Sequence, residues 1–159
     1  MKASPFILLL SALLCLILIS IYIPPFLQVF YPVWPVIFLF LVFALDCAKY
    51  IWFWIWALGL ILDCMQHNLL GTHVISMGLV TILLHRYLYQ KDSMILAESM
   101  ILMGFSSVIY LLTLMCIDGV ERSPFQYLAF FGQTLASILL WPWLYSWLLK
   151  PKKKYHNMI

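Results

Sequence analysis

The sequence predicts an all-α integral membrane protein, a six-helix transmembrane bundle, and three observations predict it. Apolar residues fill 65% of the 159 positions. Asp, Glu, Lys and Arg together fill 9%, where roughly a quarter is usual in a soluble domain, so the chain cannot cover itself with polar surface. The apolar residues fall into runs broken at short intervals, and the few charges gather at the breaks. Since a crossing takes roughly 20 apolar residues, the chain has room for five to six helices in one domain, and a soluble catalytic module is excluded.

The first run, 5–23, follows Lys2 as a secretory signal would. It is as long as a full crossing and ends in Tyr22-Ile23-Pro24-Pro25 rather than in small residues, so a retained helix is expected. The next two runs, 32–46 and 50–66, are each purely apolar over too few residues for a hydrocarbon core about 30 Å thick at about 1.5 Å per residue. Fusing them into one helix would leave Asp46 and Lys49 at the bilayer centre, where a charge costs a few kcal/mol even on the mildest scale. A tight turn lets both reach the interface. Two short helices are therefore expected, recruiting Pro32, Trp34 and Asp63 to Gln66 to reach across, or thinning the bilayer locally. Runs at 70–89, 94–116 and 125–149 complete the six, and a basic tail, 150–159, follows.

Positive charge tests this division, because cytoplasmic loops carry the Lys/Arg excess. With six crossings and an internal N-terminus, Lys2, Lys49, Arg86, Lys91, Lys150, Lys152, Lys153 and Lys154 fall inside and only Arg122 falls outside. Five crossings would scatter these charges over both sides. An inner-membrane protein with both ends in the cytoplasm is thus expected. Tyr22, Tyr31 and Trp34 suit an outer interfacial belt, and Tyr50, Trp52, Tyr87, Tyr89 and Trp147 an inner one. Trp54 and Trp56 are expected deeper, between helices. The longest loops, around Pro24 to Tyr31 and Asp118 to Pro124, are too short to fold alone, so recognition must use helix faces and small loops.

Candidate chemistry is sparse. Asp63 and His67 stand four residues apart, on one face of a continuous helix, with Asn68 and His73 close behind. A carboxylate and an imidazole in a membrane can hold a metal or move a proton, yet no third ligand at a recognised spacing accompanies them. The expected role is to end the third helix and cap the turn before the fourth, or to contact a partner; no catalytic residue, metal or cofactor is expected. Glu98 is expected to reach the cytoplasmic interface or to pair with Arg86 or Lys91. Cys15, Cys47, Cys64 and Cys116 form no C-x-x-C pair and read as buried thiols, with a Cys64–Cys116 disulfide as the alternative. Gly132 and Ala136 would let the sixth helix approach a neighbour closely. Lys150, Lys152, Lys153 and Lys154 are expected at an anionic membrane surface; they supply no base-reading element, and nucleic acid is not an expected partner.

Pro32-Val-Trp34, an apolar hairpin, Gly59-Leu-Ile-Leu-Asp63, Leu70-Gly71 opening the fourth helix, and Leu140-Trp-Pro-Trp143 before a basic tail occur in that order. Together they resemble MreD, the rod shape-determining membrane protein family of bacteria, over essentially the whole chain. Each motif has a physical reading. Pro32 and Pro35 lie at a helix start, where a missing N–H does little harm. Gly59 clears space one turn before Asp63. Pro142 should kink the sixth helix between Trp141 and Trp143. The chain departs from the family pattern at Asp46-Cys-Ala-Lys49, where a more basic, proline-containing turn is usual, and at Gln66-His67-Asn68, where small residues are.

The resemblance implies a non-enzymatic scaffold that maintains rod shape and helps localise side-wall peptidoglycan synthesis. Its implied partners are an MreC-like protein with one membrane helix and the elongation complex of MreB, RodA and a class B penicillin-binding protein. It also implies a fold similar to the membrane substrate-binding subunits of energy-coupling-factor transporters. A vitamin-binding subunit is accordingly the alternative, with a pocket near Asp63, His67 and His73.

Overall fold

Each apolar run becomes a helix and each cluster of Pro, Gly or charge ends one. A computed structural model describes residues 5–20, 24–44, 51–66, 69–88, 96–118 and 124–148. Within these the protein is all-helical, with six α-helices: α1 Pro5–Ser20, α2 Trp34–Ala44, α3 Ile51–Gln66, α4 Thr72–Leu88, α5 Leu96–Asp118 and α6 Pro124–Leu148. A 3₁₀ helix, Pro25–Phe30, joins α1 to α2. Asp46, Lys49, His67, Asn68, Lys91, Arg122 and the lysines of the tail, Lys150, Lys152, Lys153 and Lys154, lie outside the described residues.

Two helices carry stretches long and apolar enough to cross a membrane, Leu96–Ile117 in α5 and Leu128–Ser146 in α6. Leu9–Ser20, Trp34–Phe43 and Ile51–Gln66 are apolar but shorter. The second and third runs do form separate helices, of 11 and 16 residues.

The bundle is built around α2. Val36, Ile37, Phe38, Leu39, Phe40 and Val42 are all buried, so this helix has no outer face. A helix that is apolar all round belongs in the interior, and α2 packs against α1, α4, α5 and α6. Around it, α3, α4, α5 and α6 pack each on the next in chain order. Glycines set two of these approaches. A Cβ on Gly59 would fall 2.6 Å from Val74 Cγ2 and 2.9 Å from Val74 Cα and N, so α3 and α4 touch through backbone. A Cβ on Gly104 of α5 would fall 2.7 Å from Ile138 Cδ1 of α6. Gly132, expected to face a neighbouring helix, instead lies against Val29 of the 3₁₀ segment.

Several hydroxyls bond back to their own helix. Ser76 donates to Thr72 O, Thr113 to Ile109 O and Thr134 to Phe130 O. Ser137 does more: its Oγ donates to Gln133 O (2.8 Å) and accepts from Val33 N (2.8 Å), tying the residue before α2 to α6.

Two sequence expectations are corrected. Trp56 is 60% exposed and faces outward, while its neighbour Trp54 is half-buried against Phe38. Successive helical residues are about 100° apart, so on α3, which packs on one side only, Trp54 and Trp56 point to opposite sides. Cys15 is buried, but Cys64 and Cys116 are free and exposed, which removes both the buried reading and the disulfide for that pair.

Candidate functional site at the corner between α3 and α4

Two of the polar residues singled out in the sequence, Asp63 and His73, meet where α3 ends and α4 begins. Gly71 adopts φ +98°, in the left-handed region that side chains rarely occupy, and so turns the chain back. Its carbonyl accepts from Ile75 N (2.8 Å), which makes Gly71 the N-cap of α4. An N-cap side chain normally accepts from the first free N–H groups of its helix, and glycine has none to offer.

Asp63 supplies the missing acceptor from the neighbouring helix. Its Oδ2 accepts from Gly71 N (2.6 Å) and its Oδ1 from His73 N (2.9 Å). The same Oδ1 lies 2.7 Å from His73 Nδ1, and neither residue is more than 1% exposed. Two acceptors cannot bond to each other, so Nδ1 carries the hydrogen that the carboxylate accepts. Thr72 completes the turn by donating from Oγ1 to Leu69 O (2.5 Å). Asp63 stands at the N-terminal, positive end of the α4 dipole. A buried charge stays folded only when its partners are complete, and here three donors converge on two oxygens.

His73 also meets Tyr110 of α5 edge to face, centroids 6.0 Å apart. The corner therefore joins three helices. Asp63 was expected to end α3 and cap the turn before α4, and its carboxylate does accept from the backbone of that turn, with His73 as its side-chain partner; His67 lies outside the described residues. The available signal was a helix opening on Gly71 without a capping side chain of its own, with a carboxylate one short turn upstream.

The remaining sequence candidates stand elsewhere. Pro32 and Trp34 lie at the start of α2, with Trp34 half-buried edge-on to Tyr31 (6.3 Å). The Tyr31 hydroxyl donates to Leu18 O, and burial raises the phenol above its ordinary range. Trp141 is a core residue: Nε1 donates to Ser99 Oγ (3.0 Å) and its ring meets Phe40 at 5.1 Å. Pro142 sits inside α6, and Trp143 is 65% exposed on its outer side. Glu98 is half-buried in the first turn of α5. Sequence reasoning missed Ser99 and Ser137, whose hydroxyls join distant helices.

Among the described residues, no group of three His, Cys, Asp or Glu side chains is placed to hold a metal. A shallow groove of about 340 Å³ runs along the outer side of α3, lined by Leu60, Ile61, Cys64 and Met65. No protein-family model matches the chain, and no curated protein or solved structure does.

Proposed function

We propose that this chain is a multi-pass inner-membrane scaffold of bacterial cell elongation, crossing six times with both ends in the cytoplasm. In this reading it binds the single membrane helix of an MreC-like partner and works beside MreB, RodA and a class B penicillin-binding protein. The ordered motifs from Pro32 to Trp143 and the charge asymmetry support it.

The observation that carries it is the pairing of chemistry and surface on α3. The inward side of that helix holds Asp63, with both oxygens bonded to α4. The outward side presents Trp52, Phe53, Trp56, Leu60, Ile61 and Met65, all exposed. A carboxylate committed to capping supports a structural corner rather than acid–base work, and a continuous apolar helix face supports lateral contact within a membrane. For the vitamin-binding alternative, converging polar groups in a concave pocket are needed. The groove on α3 offers four apolar or thiol side chains facing out of the bundle, which favours the scaffold.

The test is co-purification in mild detergent of the tagged chain with the MreC-like protein of its host. Recovery of that partner, reduced by polar substitutions at Trp56 and Leu60, is expected. Its absence from both the wild type and the variants would count against the scaffold.

A further inference from the structure

The helices of this bundle do not end at one level. His73, in the first turn of α4, meets Tyr110, and α5 continues past that contact to Asp118, about 12 Å further at about 1.5 Å per residue. The described part of α5, 23 residues, is about 35 Å long. A hydrocarbon core is about 30 Å thick. On the α6 side the 3₁₀ segment packs along the outer stretch of the helix, with Val29 against Gly132. Over α3 and α4 the turn itself is outermost, and its Leu69 and Leu70 are 65% and 75% exposed.

We infer that the lipid leaflet at this end of the bundle dips along α3 and α4, bringing phospholipid headgroups down onto the corner above Asp63, while full-thickness leaflet covers the outward side of α5. This rests on the membrane reading proposed above. A flat leaflet would sink the corner into hydrocarbon, together with the non-helical backbone at Leu69 and Leu70, to which hydrocarbon offers no hydrogen bonds. Thinning the leaflet by a few ångströms is the smaller cost. In the dipped leaflet Leu69 and Leu70 lie at the level of the headgroups and the first acyl carbons, well short of mid-chain. The ligand of this surface is thus the phospholipid bilayer itself, held thinner on one side of the protein than on the other.

The test compares two residues at one level of the fold. Leu70 stands about a turn outward of His73, and Leu112 about half a turn outward of Tyr110, so both lie just beyond the His73–Tyr110 contact. Single cysteines at Leu70 or Leu112, with the native cysteines replaced, carry a fluorophore in the full chain reconstituted into phosphatidylcholine–phosphatidylglycerol vesicles. Nitroxide lipids labelled at the headgroup or at mid-chain then quench it. Headgroup nitroxide should quench position 70 several-fold more than mid-chain nitroxide, and position 112 should show the reverse order. Equal depth at the two positions overturns the inference. Labels at Ile101 and Phe105, exposed midway along α5, separate the two failures. If these also escape mid-chain quenching, the membrane reading falls and takes the inference with it; if they are quenched and 70 matches 112, only the dip is wrong. Leu69→Cys repeats the reading should Leu70→Cys disturb the fold.

Discussion

Asp63 of α3 and His73 of α4 lie 2.7 Å apart, carboxylate to imidazole, with neither side chain more than 2% exposed. The contact fixes where α4 starts, because the same carboxylate accepts from the backbone of Gly71 and His73. Replacing it by Asp63→Asn keeps the shape and removes one acceptor oxygen, so an amide N–H must face one of the donors. Leaving buried charged or polar partners unmatched costs roughly 2–4 kcal/mol. A lower thermal midpoint in detergent is expected, together with weakened partner recovery. An unchanged midpoint would mean that the cap contributes little.

Gly59 and Gly71 should fail for different reasons. Gly59→Ala puts a methyl against Val74 side chain and backbone, forcing α3 and α4 apart at about 1–3 kcal/mol. Val74→Ala should restore only part of this, since Val74 Cα and N are themselves within 2.9 Å. Around Gly71 nothing lies within 4 Å of an added Cβ. Gly71→Ala should therefore cost about 1–2 kcal/mol from backbone conformation alone, and no truncation of a neighbour should rescue it. Thermal melts of the single and double variants distinguish the two.

Serines on α5 and α6 should respond with opposite signs. Ser137→Ala strands the buried Val33 N–H and should destabilise by about 1–3 kcal/mol. The buried hydroxyls of Ser106 and Ser107 have no partner among the described residues. Ser106→Ala and Ser107→Ala should therefore be neutral or stabilising, by up to about 1 kcal/mol. Equal losses at all three positions, read from midpoints in detergent, would contradict this.

Much of the fold is legible in the sequence because charge and proline interrupt the apolar runs where the helices end. Asp46 and Lys49 argue for two short helices where hydropathy alone allows one. What composition does not reveal is which side of α3 faces in: its apolar run carries Trp54 and Trp56 alike, yet Trp54 packs on Phe38 while Trp56 faces outside. Nor does helical spacing find the partner of Asp63. The four-residue rule points to His67, which lies outside the described residues, and gives no sign that the carboxylate meets the free N–H groups at the start of α4, to which Gly71 turns the chain. Trp141 illustrates the converse. Beside Pro142 it reads as one of a pair of flanking tryptophans, and only its bond to Ser99 separates it from the exposed Trp143.

Reporter fusions test the proposed topology. A periplasm-active phosphatase fused after residue 120 should be active, and fusions after residues 48, 90 and 159 should be inactive, with a cytoplasm-active fluorescent reporter giving the opposite pattern. Activity of the phosphatase after residue 159 would mean an odd number of crossings and would contradict the six-crossing topology.

The role in cell elongation is tested most directly by depleting the protein in its rod-shaped bacterial host and measuring cell width and length. Rounding that wild type reverses, and that a variant defective in partner binding does not, is the predicted result. Unchanged rod shape, with a new requirement for an external vitamin, would contradict the scaffold and favour the transporter subunit.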